Sequence, residues 1–178
     1  MRVLLIALAL ALSACATEPR QMQVPGDSAH PVLGDPNSMW RLHAAASTAD
    51  RTAAHACLVA RNGGCDDLIQ KSCNGSYDED LQSPALARQC DWRAMVVWED
   101  EALASLADLR GKFGGEGLKQ LNDDETAWER SMLDDVGIGM DMYEGGSLAG
   151  PVGAHIRARA VAQRAAYLYE IQQMTEGE

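Results

Sequence analysis

The chain has 178 residues, a formal net charge of −11 at pH 7, 47% hydrophobic residues and 5% aromatic ones. That length suits one folded domain and is short for two. The acidic balance speaks against nucleic acid, and against binding anionic lipid through the domain itself; a cationic partner would be drawn to it.

Met1-Arg2 is a short basic start, and residues 3–12 (VLLIALALAL) form an apolar run too short to span a bilayer as a mature helix. This is the pattern of a secretory signal. It ends in Leu12-Ser13-Ala14-Cys15, which resembles the lipobox of bacterial lipoproteins. The resemblance implies cleavage after residue 14 and a diacylglyceryl group on the Cys15 thiol. The alternative is ordinary cleavage after Ala14 or Ala16, with Cys15 an incidental thiol. Position 16 is Ala and not Asp, which favours the outer membrane facing the periplasm if the cell has one. Removing residues 1–14 takes away Arg2, so the net charge of −11 becomes −12.

Residues 15–37 hold Pro19, Pro25, Pro31 and Pro36 with Gly26 and Gly34. So many prolines forbid a regular helix, and the stretch reads as a tether carrying a solvated His30. The folded domain is expected over 38–178. Ser38 caps a helix predicted to run to Arg61, stopping at Asn62-Gly63-Gly64. Its apolar face is thin: Trp40, Leu42, Ala46, Ala49, Ala53, Ala56, Cys57 and Ala60. Alanine has high helix propensity but little area to bury. A short helix is expected between Cys65 and Cys73, closed by Asn74-Gly75, with residues 77–82 a polar connector.

The next stretch organises the chain. Ser83 is an N-cap, Pro84 stands at the first helical position, and Gly114-Gly115 mark the stop. Between them Leu86, Cys90, Ala94, Trp98, Ala102, Leu106, Leu109 and Phe113 recur at spacings of three and four. That is one apolar face of a long helix, and the other helices must cover it. A glycine-bearing link over 114–121 then leads to Asn122, which with Glu125 has capping-box spacing; Asp123 and Asp124 suit a first turn. The helix that follows carries Trp128, Met132 and Leu133 and is expected to loosen at Gly137 and Gly139. Tyr143-Glu144-Gly145-Gly146-Ser147 reads as a turn. Gly150-Pro151 opens a last helix with Ala158, Val161, Ala165, Leu168 and Ile171 on its face. No apolar alternation of useful length appears, so the fold class is all-α: a bundle of about four to five helices.

Cys57, Cys65, Cys73 and Cys90 form an even set in an exported chain, which reads as two disulfides. Three connectivities are possible. Cys57–Cys65 with Cys73–Cys90 is the expectation, because the Gly-Gly turn lets the first pair meet and the second brackets the entry into the long helix. A zinc site from these cysteines and His55 competes, but their even spacing lacks the close pairs of zinc ribbons. No metal and no cofactor is expected.

Gln120-Leu121-Asn122, Ala127-Trp128-Glu129-Arg130, the Tyr143-to-Ser147 turn, and Arg164-Ala165 with Leu168 stand in an order that resembles the LprI family. These are small exported helical domains named for a lipoprotein inhibitor of lysozyme. Cys73, Cys90 and Trp98-Glu99-Asp100-Glu101-Ala102-Leu103 are similar to that family's first cysteine pair and long helix. The resemblance covers roughly residues 73–171. The family's second cysteine pair has no counterpart here, Arg157 standing about where its last cysteine would; residues 38–65 are an addition. The resemblance implies an all-helical fold and a protein-binding role, with lysozyme or another cationic protein as partner. Trp128, Arg130, Gly145, Gly146, Arg164 and Leu168 carry the pattern and are expected to be structural, Arg164 pairing with Glu99, Asp100 or Glu101.

Two stretches could touch a partner. One is the turn with Tyr143, Glu144 and Ser147; the other is the acidic group of Asp123, Asp124, Glu125 and Glu129. Their plain reading is a connector and solvated charge. An assembly lipoprotein with an unrelated partner fits the same features. An enzyme fits less well: Glu125 and Glu129, one helical turn apart, mimic a carboxylate pair, but no nucleophile motif, phosphate loop or histidine-rich metal cluster accompanies them.

Overall fold

The long helix forms as its sequence requires. In the computed structural model, which describes residues 33–60, 64–75 and 83–177, α4 spans Pro84–Lys112. Ser83 caps it, its hydroxyl accepting from the Leu86 N–H at 3.2 Å, and Pro84 occupies the first turn. Cys90, Ala94, Trp98, Ala102, Leu106 and Leu109 are buried along the expected stripe, and Met95, Val96 and Val97 are buried beside it. A helix buried over so much of its circumference must be covered from more than one side. The last helix, α6 (Ala149–Glu176), covers one side, and the helices before α4 cover another.

α6 runs parallel to α4. The His155–Asp91 and Lys112–Glu176 pairs, each separated by 64 positions, fix the register at both ends. Ala94 and Ala102 on α4 meet a face of Ala154, Ala158, Val161, Ala162, Ala165 and Leu168 on α6, all within one core cluster. Alanines on both faces let two helix axes approach toward the short end of the usual 8–10 Å. Between them in sequence lies α5 (Gly115–Asp141), which must run back antiparallel and packs on α6. α5 is continuous from Gly115, so Asn122 sits mid-helix and caps nothing, and the expected link over 114–121 shrinks to Phe113-Gly114. Gly115, at φ +55°, takes the reversal that a side chain would resist.

The N-terminal part departs further from expectation. The single helix expected from Ser38 to Arg61 is two: α1 (Met39–His43) and α2 (Thr48–Ala60), separated by an extended residue, Ala44, at φ −101°, ψ 129°. The break has a cause in Ser47 and Asp50. The Asp50 carboxylate accepts from the Ser47 N–H and hydroxyl at 2.8 and 2.7 Å, while the Asp50 N–H donates to the Ser47 hydroxyl at 3.1 Å. This reciprocal cap starts a new helix. The buried face of α2 is Asp50, Ala54 and Leu58; Ala49, Ala53, Ala56 and Ala60 are exposed. The alanines lost because burying them removes little apolar area from water, whereas Asp50 is drawn inward by Arg93, at 2.7 Å from both carboxylate oxygens.

A 3-10 turn at Cys65–Asp67 leads into α3 (Leu68–Asn74). Cys57 is bonded to Cys65 and Cys73 to Cys90, as expected, tying α2 to the turn and α3 to α4. Leu33, within the stretch expected to be tether, is buried and belongs to the core cluster. Cys15, the signal peptide, His30, Asn62-Gly63 and the connector over 77–82 lie outside the described residues. Among the described residues there is no strand, and no helix is long and apolar enough to cross a membrane.

Candidate functional site

The turn between α5 and α6 is the most exposed part of the bundle, residues 141–148 all standing in solvent. It is nevertheless ordered by its own backbone. The N–H groups of Tyr143, Glu144, Gly146 and Ala149 donate to the carbonyls of Met140, Asp141, Tyr143 and Gly146 at 2.7 to 3.1 Å. Glu144 takes φ +49° and Gly145 φ +71°, so two successive residues lie in the left-handed region. Gly145 makes this affordable, and a Cβ at Gly146 would sit 3.0 Å from the Tyr143 carbonyl. Both glycines of the motif thus serve the turn.

Two helical glycines seat the tip on the bundle. A Cβ at Gly139 would overlap Ile156 Cδ1, and one at Gly153 would lie 2.9 Å from Met140. α5 and α6 therefore cross in close contact directly behind the turn, where the sequence suggested loosening. The tip carries exposed Ile138, Met142, Tyr143 and Leu148. Asp134, Asp135, Asp141 and Glu144 are exposed around them. The surface is an apolar knob among carboxylates.

The other acidic group lies elsewhere. From Asp123 to the end of α5 at Asp141 is about 27 Å at the helical rise, so the tip and the Asp123 region cannot share one small footprint. Asp123 is paired with Lys119 at 2.6 Å on the exposed surface. Asp124 and Glu125 bind Arg164 of α6. Arg164 does not pair with Glu99, Asp100 or Glu101, because it projects from the side of α6 that faces α5, not α4. Its guanidinium also lies 5.5 Å from the Trp128 ring centroid and 5.0 Å from that of Tyr167. Burial pushes the Glu125 carboxyl above its ordinary range, against the pull of Arg164. Trp128 packs partly buried against the core and Leu168 is fully buried, while Arg130 is exposed. With Glu125 committed to Arg164, the Glu125–Glu129 spacing presents no free carboxylate pair.

The α4 carboxylates serve the N-terminal segment instead. Glu99, with no exposed surface, accepts from the Trp40 indole N–H and from Arg41 Nε, each at 2.8 Å. Arg41 also reaches Asp100 at 3.0 Å, Arg51 holds the other Asp100 oxygen at 3.0 Å, and His55 lies 3.1 Å from Glu101. The Arg157 guanidinium stacks 4.6 Å from the Trp40 ring centroid. This cluster was missed in the sequence, as was Asp50–Arg93. The signal for the second was present: Ser47 and Asp50 have capping spacing. Nothing local announces the first, because its partners lie 58 and 59 positions apart.

Among the described residues, no three His, Cys, Asp or Glu side chains gather as a metal site. No family model, curated protein or solved structure matches this chain.

Proposed function

We propose that this chain is a cell-envelope lipoprotein, anchored through Cys15, whose helical domain is a protein-binding module of LprI type directed at lysozyme or another cationic protein. The observation that carries the reading is the α5–α6 tip: a hydrogen-bonded, protruding turn that presents Tyr143 and Glu144 among apolar side chains and carboxylates. A preordered knob of this kind loses little conformational entropy on entering a cleft. Carboxylates around it would steer a basic partner into encounter. Asp123 and Asp124 contribute to the long-range field only, since one is paired with Lys119 and the other with Arg164.

Binding of the mature domain to immobilised lysozyme at two salt concentrations tests this. Association should slow as salt rises. Tyr143→Ala should raise the dissociation rate by about 30-fold if Tyr143 is a central anchor of the interface. Neutralising Asp123 should slow association modestly and leave dissociation unchanged. Undetectable binding at low salt removes lysozyme as the partner. For the anchor, Cys15→Ser should release the protein from the membrane fraction; retention would overturn the lipobox reading.

A further inference from the structure

The segment from Leu33 to His43 lies across α4 and is held there at three points, the last being His43, whose ring stacks 6.1 Å from that of Trp92 on α4. Leu33 is buried, and Gly34 beside it packs so closely that a Cβ would sit 2.9 Å from Leu103. The second point is the Trp40-Arg41 pair on Glu99 and Asp100. Between the first two points Ser38 is buried, its N–H donating to the Asp35 carbonyl at 3.1 Å. α1 has five residues and buries none of them, and it is far shorter than an isolated helix needs to persist in water. It joins α2 through residues 44–47, which carry no helix. Met39 and Leu42 point outward and are exposed.

The floor beneath it is unusual for a core surface. It holds a fully buried carboxylate, Glu99, with Asp100 next to it and Arg157 at its edge. If the segment left, Glu99 would lose its hydrogen bonds from Trp40 and Arg41 and gain water in their place, while Asp100 would keep Arg51. The aromatic ring and the cation supplied by the segment are what the floor binds now.

We propose that the surface of α4 and α6 that carries Glu99, Asp100 and Arg157 is a binding site for a peptide segment with an aromatic residue followed by arginine, and that Trp40-Arg41 occupies it in cis as a displaceable strap. A partner segment of that chemistry competes with the strap. This site is separate from the α5–α6 tip and does not depend on the reading given for it.

Two measurements test the proposal. The first is native-state hydrogen exchange on the unaltered mature protein. Residues 38–43 should exchange through an opening that leaves α4 and α6 protected, at rates at least a hundredfold above theirs. Exchange of the strap together with α4 and α6 overturns the idea. The second uses the full mature chain carrying Trp40→Ala and Arg41→Ala, with a synthetic peptide of residues 33–47 as probe. The variant should bind the peptide at least tenfold more tightly than the unaltered protein does. Adding Glu99→Gln and Asp100→Asn should abolish that binding. No binding by a variant that keeps its helical circular dichroism overturns the site. If the variant does not fold, the exchange measurement on the unaltered protein decides alone.

Discussion

Arg164 holds two carboxylates, Asp124 and Glu125, and has only 6% of its side chain exposed. Replacing it with Met leaves Glu125 in a buried site without its counter-charge, which should cost about 3–5 kcal/mol by chemical denaturation. Adding Glu125→Leu should recover most of that loss. His155 behaves differently, because half its side chain is in solvent. Its hydrogen bond to Asp91, 3.2 Å away, raises its pKa above 6.5, against desolvation and the Arg159 charge and with some help from Asp67. A raised folded-state pKa means the pair's contribution is complete below the unfolded value and fades as pH climbs through the folded one. An NMR titration of the His155 ring should therefore give a midpoint above 6.5, and Asp91→Asn should bring it down. Neither pairing was legible in the sequence. The Glu99-to-Glu101 acids looked like partners for Arg164, but which flank of α6 an arginine occupies depends on how three helices are arranged. Residue spacing carries no information about that.

Helices with a wide apolar stripe were legible, and those with a narrow one were not. The stripe from Cys90 to Leu109 survives intact in α4, and Ala158, Val161, Ala165 and Leu168 survive in α6. α2 turned instead on a buried Asp, since its alanines offered little area to compete. α5 shows the opposite error: four acidic or capping residues, Asn122 to Glu125, suggested a start at Asn122, yet the helix runs through them from Gly115 because tertiary packing outweighs a cap signal. Its Gly139, read as a weak point, is a crossing point. Gly139→Val would place branched carbons against Ile156 and should cost about 1–3 kcal/mol through overpacking. A lowered thermal midpoint with altered amide shifts confined to the α5–α6 tip would be the expected signature.

At the scale of the molecule the two disulfides do unequal work. Cys73–Cys90 closes a separation of 17 and Cys57–Cys65 one of 8. On the chain-entropy estimate, losing the longer loop costs about 3 kcal/mol and losing the shorter about 2.5. Denaturation of the paired Cys→Ser variants should rank them in that order. Equal or reversed losses would show that local geometry outweighs loop length here. The longer bridge also ties α3 to the start of α4, at the same end of the bundle as the tip: a Cβ at Gly150, just past the turn, would lie 3.7 Å from the Arg88 guanidinium. The all-helical class and both pairings were readable from glycines, caps and cysteine placement. The parallel setting of α4 and α6 was not, because it follows only once α5 is known to be one long return helix.

The placement of the strap has a mechanical consequence. Among the described residues the first to join the core is Leu33, and α1 follows it on α4 before α2 begins. Tension from the N-terminal side, as an anchor at Cys15 would apply, falls first on Leu33 and the Trp40-Arg41 clasp. Peeling residues 33–47 away would lengthen the leash by about 50 Å of extended chain. The disulfides would stop the unravelling near α2, whose Cys57 is bonded to Cys65. The segment is thus placed to act as a shock absorber, giving slack under load while α4, α6 and the tip hold their shape.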